Sequence, residues 1–191
     1  MKKSSIIENG IIPIRVFGDK ILRQKTKPIK DIDDNLINFI ANMYKTMEQA
    51  HGIGLAANQV GLDKSVFIVD ISHVEGYEKF TPITFINPTI KSFSDEISSF
   101  NEGCLSLPNL RGEVNRPKAI EIVYYDINMK EQKIEADDLL ARVIQHEYDH
   151  LQGILFTDRL DKNLKEKIKP ELLKIKRGEV EIDYEIYRPR K

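Results

Sequence analysis

A histidine pair with an acidic residue beside it is the segment of the sequence best suited to chemistry. Residues 145–150 read Gln-His-Glu-Tyr-Asp-His, so His146 and His150 are four positions apart and Glu147 follows the first of them. Residues at this spacing lie one turn apart on the same face of a helix, where two imidazoles can bind one metal ion. Glu147 is then close enough to exchange a proton with a water on that metal without being a ligand. The alternative is a solvated helix that carries the pattern by chance. Aliphatic neighbours argue against it, because burying unpaired ionisable groups costs several kcal/mol.

A catalytic metal site of this type needs a third protein ligand beside one open water position. Cys104 is the only cysteine and lies in Glu-Gly-Cys-Leu-Ser at 102–106, after a strand-like stretch and before Pro108, where a turn can present its thiolate. A single intracellular cysteine is more commonly a buried apolar residue, so Cys104 decides nothing alone. His51 and His73 have no motif around them and are interpreted as ordinary polar residues at a helix end and in a loop. Cys104 is therefore the candidate third ligand.

Two amphipathic helices are predicted on either side of the middle of the chain. The first spans residues 34–51 and is capped by Asp33 or Asp34. The second spans 138–151, carries the histidine pair and stops at Gly153. In each helix the apolar residues recur every three or four positions and share one face. These residues are Leu36, Ile37, Ile40, Met43, Tyr44 and Met47 in the first helix, and Leu139, Leu140, Val143, Ile144 and Leu151 in the second.

The middle of the chain is rich in β-branched residues separated by Pro, Asn and Asp turn signals. Strands are predicted at 65–71, 83–87, 89–93, 119–126 and 132–136, and residues 180–186 alternate like a short strand. A lysine-rich third helical stretch, 163–176, is interrupted by Pro170. This order predicts an α+β fold with mostly antiparallel short strands around a central metal-binding helix, an N-terminal helix and a C-terminal helical segment. Residues 1–191 are predicted to form one catalytic domain, with 162–191 as a lysine-rich C-terminal extension.

Composition restricts the class of protein. The chain has 191 residues, 41% of them apolar and 31% charged, which is typical of one soluble globular domain. A net charge of -1 with scattered basic residues argues against sequence-specific nucleic-acid binding. One cysteine allows no intrachain disulfide, which favours the cytosol. Glu8, Asn9 and Pro13 interrupt the first apolar stretch, and no run approaches the roughly 20 apolar residues of a membrane span. The prediction is a cytoplasmic protein with no signal peptide and no membrane contact.

Three segments together resemble the peptide deformylases, whose signature motifs have the form G-φ-G-φ-A-A-x-Q, E-G-C-φ-S and Q-H-E-x-D-H, with φ apolar. They stand complete and in that order at Gly52 to Gln59, Glu102 to Ser106 and Gln145 to His150. The similarity covers roughly residues 12 to 160 and leaves the lysine-rich C-terminal region outside. It implies a bacterial-type metalloenzyme that removes the formyl group from the N-terminal methionine of new polypeptides and releases formate.

The resemblance also implies a ligand set and catalytic roles. It places one divalent metal ion on Cys104, His146 and His150, with ferrous iron as the family's usual metal. Zinc, nickel and cobalt share these ligand preferences and remain substitutes. Glu147 would transfer the proton. The side-chain amide of Gln59 and the backbone N–H of Leu105 would stabilise the oxyanion.

Substrate contacts are predicted on two elements. The backbone of Ile53 and Gly54 is expected to pair with the extended formyl-methionyl peptide, because glycine permits close approach. The methionine side chain is expected in an apolar pocket with Ile53, Leu139 and Val143 as candidates, the last two one helical turn apart.

Three predictions concern charged residues around these motifs. Arg142 is interpreted as an exposed helix residue, although it could line the rim of the pocket. Asp149 cannot join the ligand face and is predicted to pair with Arg116. The basic segment 163–177 is interpreted first as a solvated helix face and second as a segment that docks near the ribosomal exit.

Two other functional classes compete with the deformylase interpretation. A zinc endopeptidase of the H-E-x-x-H type would take its third ligand downstream of His150, where only about 40 residues remain. A structural metal module without activity would need neither Glu147 nor Gln59. Both alternatives are disfavoured by the upstream cysteine and by the presence of those two residues.

Overall fold

The computed structural model describes residues 10–188. Residues 1–9, which carry most of the evidence against a signal peptide, lie outside the described residues, as do residues 189–191. Within the described part of the chain, no helix is both long and apolar enough to cross a membrane.

Three helices and seven strands position the candidate site. The helices are α1 (Asp34–Gln49), α2 (Asp138–Leu151) and α3 (Lys162–Arg177). The strands are β1 (Gly54–Ala56), β2 (Val66–Val69), β3 (Ile83–Phe93), β4 (Ile97–Cys104), β5 (Leu107–Pro117), β6 (Ala119–Tyr125) and β7 (Glu131–Asp137). Five strands form an antiparallel sheet in the order β1-β2-β3-β6-β7, and β4 pairs with β5 as a separate antiparallel ribbon. The predicted α+β class is confirmed.

Helix α2 is the central helix, as predicted. It contacts β1, β2 and β7, and its buried Ala141 and Ile144 share an apolar cluster with Phe67 and Phe85 of the sheet. Because such a helix buries most of its circumference, polar residues within it must find partners in the interior. From Ala141 to Leu151 only Tyr148 is more than marginally exposed.

Helix α1 matches its predicted position, with two refinements. Its cap is Asp33, whose Oδ1 accepts a hydrogen bond of 2.8 Å from the Leu36 N–H. Met43 and Met47 are buried as predicted, but Ile37 is 46% exposed. The apolar face is therefore narrower than the spacing alone indicated.

The β4–β5 ribbon was not predicted beyond a strand-like stretch before Cys104. Strand β5 alternates buried and exposed residues along most of its length, and its buried Leu110 and Val114 pack with Phe156 and with Ile175 of α3. The two-residue turn Leu105–Ser106 closes the ribbon. This end of the ribbon faces α2 and brings Cys104 to the histidine pair.

Three boundary predictions were wrong. The strands expected at 83–87 and 89–93 form one strand, β3, with an irregularity where Asn87 adopts a positive φ of 47°. Helix α3 runs through Pro170 without a break. Proline has no N–H to donate to the carbonyl of Glu166, one turn earlier, but both residues are exposed, so water can bind that carbonyl. The alternating tail forms only one parallel bridge, between Ile14 and Ile186.

Candidate active site

The three candidate metal ligands lie together. The ligand atoms of Cys104, His146 and His150 are all within 4.8 Å of one another, and Cys104 Sγ is 3.2 Å from His150 Nε2. His150 is 1% and His146 8% exposed, whereas Cys104 is partly exposed. One thiolate and two imidazoles are a donor set that suits a divalent transition metal such as iron, nickel, cobalt or zinc. The chemistry of the donors therefore fits a metal centre.

Burial and nearby charges set the protonation of the two histidines. Burial, followed by the charge of His146, lowers the pKa of His150 well below its ordinary value, so this imidazole is neutral and able to bind a cation. Burial also lowers the pKa of His146, but its side-chain interactions with Cys104 and Glu102 outweigh burial and raise that pKa well above its ordinary value. A metal at this site would replace the proton on His146, since ligand imidazoles must be neutral.

Glu102 orients His146, and sequence reasoning gave it no role. His146 Nδ1 is 2.9 Å from Glu102 Oε2, which leaves Nε2 as the ring nitrogen for a ligand bond. Arg116 donates to both carboxylate oxygens of Glu102, at 2.7 and 3.0 Å. Burial alone would raise the pKa of Glu102, but the hydrogen bonds from His146 and Arg116 hold it well below its usual range. Glu102 thus stays ionised at 4% exposure.

The predicted pair of Asp149 and Arg116 is confirmed. Arg116 Nη1 donates to Asp149 Oδ2 at 2.6 Å, and Arg159 donates to both oxygens of the same carboxylate at 2.5 Å. Arg116 is 2% exposed and bridges Asp149 on α2 to Glu102 on β4. This buried pair fixes the ribbon against α2.

The interpretation of Arg142 as an exposed residue was wrong. Arg142 is 5% exposed, and its Nη1 donates to Glu102 Oε1 and to the Val114 carbonyl, both at 2.9 Å. Its Nη2 donates to the backbone and side chain of Ser98. Its position in the sequence did indicate burial, because Arg142 lies four residues before His146 and therefore on the same inward face of α2.

Gln59 and Leu105 approach the cluster from two other elements. Gln59 lies in a 3-10 turn (Ala57–Val60) directly after β1, and its Oε1 accepts from the Ala56 N–H at 2.7 Å. This bond aims Nε2 at Cys104 Sγ, 3.5 Å away, and at Ser106 Oγ, 3.2 Å away. Leu105 follows the cysteine in the β4–β5 turn.

Glu147 stands beside the ligands as a buried carboxyl with spare hydrogen-bonding capacity. It is 4% exposed, and its Oε2 has no hydrogen-bond partner among the described residues. Burial is the main cause that raises its pKa to about 7. Gly54 of β1 packs so closely that a Cβ there would lie 2.6 Å from Glu147 Oε1 and 2.9 Å from Val143. The glycine therefore makes room for the carboxylate.

A cavity of about 480 Å³ opens next to the cluster. All four residues predicted to contact substrate line it: Ile53, Gly54, Leu139 and Val143. Gln59, Cys104, Leu105, His146 and Glu147 line it too. His51 is exposed at its edge, whereas His73 is exposed in a loop, as expected.

The family model for polypeptide deformylases matches residues 11–166 of this sequence. The chain belongs to the polypeptide deformylase family. The peptide deformylase of Chlorobium phaeobacteroides (strain BS1) is 47% identical over 92% of this chain and 95% of its own length. That of Cytophaga hutchinsonii is 41% identical over 94% of this chain and 98% of its own length.

Solved deformylase structures share the fold. Arabidopsis thaliana peptide deformylase 1B, in complex with an inhibitor, superposes with a TM-score of 0.82 at 38% identity, covering 88% of this chain and 92% of that one. The Plasmodium falciparum deformylase, also in complex with an inhibitor, superposes with a TM-score of 0.77 at 35% identity. The superposition covers 86% of this chain and 99% of that one. Deformylases are metal-dependent hydrolases, and this chain removes the formyl group from N-formylmethionyl ends of new polypeptides. The endopeptidase and non-catalytic alternatives are set aside.

Sequence analysis gave no role to Glu102 or Tyr184, and it offered Arg142 as a residue of the pocket rim only as a second interpretation, although Arg142 does line the cavity. Glu102 lies in the E-G-C motif and Arg142 lies one helical turn before His146, so the position of each in the sequence indicated a place near the site. Tyr184 also lines the cavity but follows the matched region and had no signal in the sequence.

Proposed function

We propose that this deformylase holds one divalent metal ion on Cys104, His146 and His150, and that the ion is Fe²⁺. The proximity of the three ligand atoms, all within 4.8 Å, is the observation that carries the proposal. A thiolate beside two imidazoles suits a softer or redox-active ion, although Zn²⁺, Ni²⁺ and Co²⁺ fit the same donors. When bound, the metal supplies a water of lowered pKa as the nucleophile.

Glu147 is proposed to move the proton. Its carboxylate accepts the proton of the attacking water and returns it to the amine nitrogen of the leaving methionine. A buried carboxyl with a pKa of about 7 is well matched to this task, since proton transfer is most effective when the pKa is near the working pH. The oxygen of Glu147 that has no partner in the described residues is free for the water.

Gln59 and Leu105 are proposed to stabilise the negative charge that develops on the formyl oxygen. The Gln59 amide already points at Cys104, and its carbonyl end is held by the Ala56 N–H. The Leu105 N–H belongs to the turn that follows the cysteine. Two donors fixed in advance need no reorganisation during the reaction, and each can contribute roughly 3 kcal/mol.

The substrate is proposed to lie along β1. This strand is at the edge of the five-stranded sheet, so its outer backbone groups can pair with an extended peptide. Backbone pairing by Ile53 and Gly54 tolerates many sequences after the methionine. The methionine side chain would enter the cavity against Ile53, Leu139 and Val143.

Formate release tests this proposal. We expect protein loaded with Fe²⁺ under anaerobic conditions to release formate from formyl-Met-Ala-Ser and to leave acetyl-Met-Ala-Ser intact. Metal analysis should give about one ion per chain, and Cys104→Ala should lower the bound metal by at least about tenfold, because one of three protein ligands is lost. Full metal occupancy in Cys104→Ala would contradict the ligand set. Higher turnover with Zn²⁺ than with Fe²⁺ would contradict the choice of metal.

We further propose a single catalytic domain, working in the cytoplasm, whose α3 docks near the ribosomal exit. Seven basic and two acidic residues make up the charges of α3, and Lys167 and Lys174 are exposed. Ile175 of the same helix is 1% exposed in a cluster with β5, which supports inclusion of this segment in the domain. A thiolate ligand suits a reducing compartment.

The docking proposal is testable without truncation, which would remove the buried Ile175. We expect Lys167→Glu with Lys174→Glu to weaken co-sedimentation with ribosomes at low salt by several-fold, since phosphate contacts depend on charge. Lys25→Glu with Lys30→Glu, at exposed positions outside α3, is the matched control. Equal co-sedimentation of both double variants would contradict docking through α3.

A further inference from the structure

The chain returns to the active-site cavity after α3. Gly178 ends the helix in a left-handed conformation with φ 75°, and residues 179–187, here called the tail, run back across the β4–β5 ribbon. The side chain of Asn109 donates to the Glu181 carbonyl at 3.0 Å. Further on, the Ile14 N–H donates to the Glu185 carbonyl at 2.9 Å. The tail is therefore anchored on both sides of Tyr184.

Tyr184 reaches the turn that contains a proposed oxyanion donor. Its hydroxyl donates to the Leu105 carbonyl at 2.7 Å, and its ring lines the cavity. Burial raises the pKa of Tyr184, so the hydroxyl stays protonated and remains a donor. Tyr184 and Leu105 also pack against the same apolar cluster.

Each of the two turn residues has its carbonyl fixed from outside the ribbon. The Ser106 carbonyl accepts from the Phe17 N–H at 2.9 Å, whereas the Leu105 carbonyl accepts from Tyr184. On its other side, the Leu105 side chain packs so near Gly52 that a Cβ there would lie 2.8 Å from it. Without the tyrosine hydroxyl, the backbone of Leu105 loses the bond that limits its rotation.

We propose that Tyr184 is a positioning residue for deformylation. By holding the Leu105 carbonyl, it sets the orientation of the turn that offers the Leu105 N–H to the formyl oxygen. The inference rests on the proposed role of Leu105 in oxyanion stabilisation. Tyr184 lies beyond residues 11–166, so this contribution comes from a part of the chain that the family model does not match. An effect on the orientation of a donor should appear in kcat and not in substrate binding.

The test compares Tyr184→Phe with Tyr187→Phe in the full-length, Fe²⁺-loaded enzyme on formyl-Met-Ala-Ser. Tyr184→Phe should lower kcat by about tenfold with KM within about twofold, because a donor is misoriented rather than removed. Its bound metal should match the wild type, and its unfolding midpoint should fall by no more than the few degrees that the loss of one hydrogen bond causes. Tyr187 belongs to the same tail but stacks under Arg15, with the guanidinium carbon 3.3 Å from the ring centroid, and Tyr187→Phe should keep full activity.

Three outcomes would overturn the inference. An unchanged kcat in Tyr184→Phe would show that the hydroxyl positions nothing, while the proposed function stands. A loss of kcat that is accompanied by an equal loss of metal, or by partial unfolding at the assay temperature, would assign Tyr184 a purely structural role. A wild-type enzyme that releases no formate would instead overturn the proposed function, and the inference with it.

Discussion

Replacing Glu147 with glutamine should lower kcat by about a thousandfold or more while the bound metal stays at the wild-type level. Glutamine keeps the shape of the side chain but cannot accept a proton, and general acid–base catalysis contributes roughly 10²- to 10⁴-fold. The metal should remain because Glu147 is not one of the three proposed ligands. Formate release and metal analysis on the same preparation would measure both effects. Tyr148→Phe, one position along α2, is the matched control and should keep its activity.

The stability of the metal-free Glu147→Gln variant shows whether the fold is intact. Burial raises the pKa of Glu147 to about 7 in the folded protein, above its value in the unfolded chain. At pH values between the unfolded and folded pKa, folding therefore takes up a proton. The contribution of Glu147 to the free energy of unfolding falls as pH rises through that range. Glutamine does not titrate, so the variant should match the wild type near pH 4 and exceed it above pH 7. A variant that is less stable at pH 8, or one that retains more than a tenth of the wild-type kcat, would contradict the role of Glu147.

The helices were predictable because their signals are local. The spacing of Met43 and Met47 in α1, and of Leu140 and Ile144 in α2, repeats with the period of a helix, and Asp33 supplies the cap of α1. No such regularity marks the β4–β5 ribbon. Strand β4 is mostly exposed and rich in Ser, Asn and Gly, which resemble turn signals, and its order comes from pairing with β5.

The proximity of the three candidate ligands was predictable from motifs, but the contacts that support them were not. His146, His150 and Cys104 each stood in a recognisable pattern, and the fold brings them within 4.8 Å. The hydrogen bond from Arg142 to Glu102 crosses 40 positions of sequence and depends on how the ribbon meets α2. Local propensity contains no information on such a contact, so an arginine on a helix was interpreted as solvated. Tertiary packing overrode the general tendency of arginine to be exposed.

Arg116→Met should lower the free energy of unfolding by roughly 3 kcal/mol, the largest effect on stability that we expect from one substitution in this protein. Arg116 is 2% exposed and makes three hydrogen bonds to the carboxylates of Glu102 and Asp149. Removing it leaves two buried negative charges with fewer partners, and Arg142 and Arg159 compensate only in part. Urea unfolding of the metal-free protein would measure the change. Arg111→Met is the matched control, since Arg111 is exposed on the same strand and should cost under about 0.5 kcal/mol.

A second substitution separates lost packing from unpaired charge. If the cost of Arg116→Met comes from the charge left on Glu102, then adding Glu102→Gln should recover part of the lost stability, because the buried charge disappears with its partner. If the cost comes from lost packing of the arginine, the effects of the two substitutions on the free energy of unfolding should add. Because Glu102 also orients His146, the double variant should recover stability but not metal affinity. If Arg116→Met changes the free energy of unfolding by less than about 1 kcal/mol, the ribbon and α2 are held together by their apolar contacts. The buried arginine would then serve only to orient the carboxylates of Glu102 and Asp149.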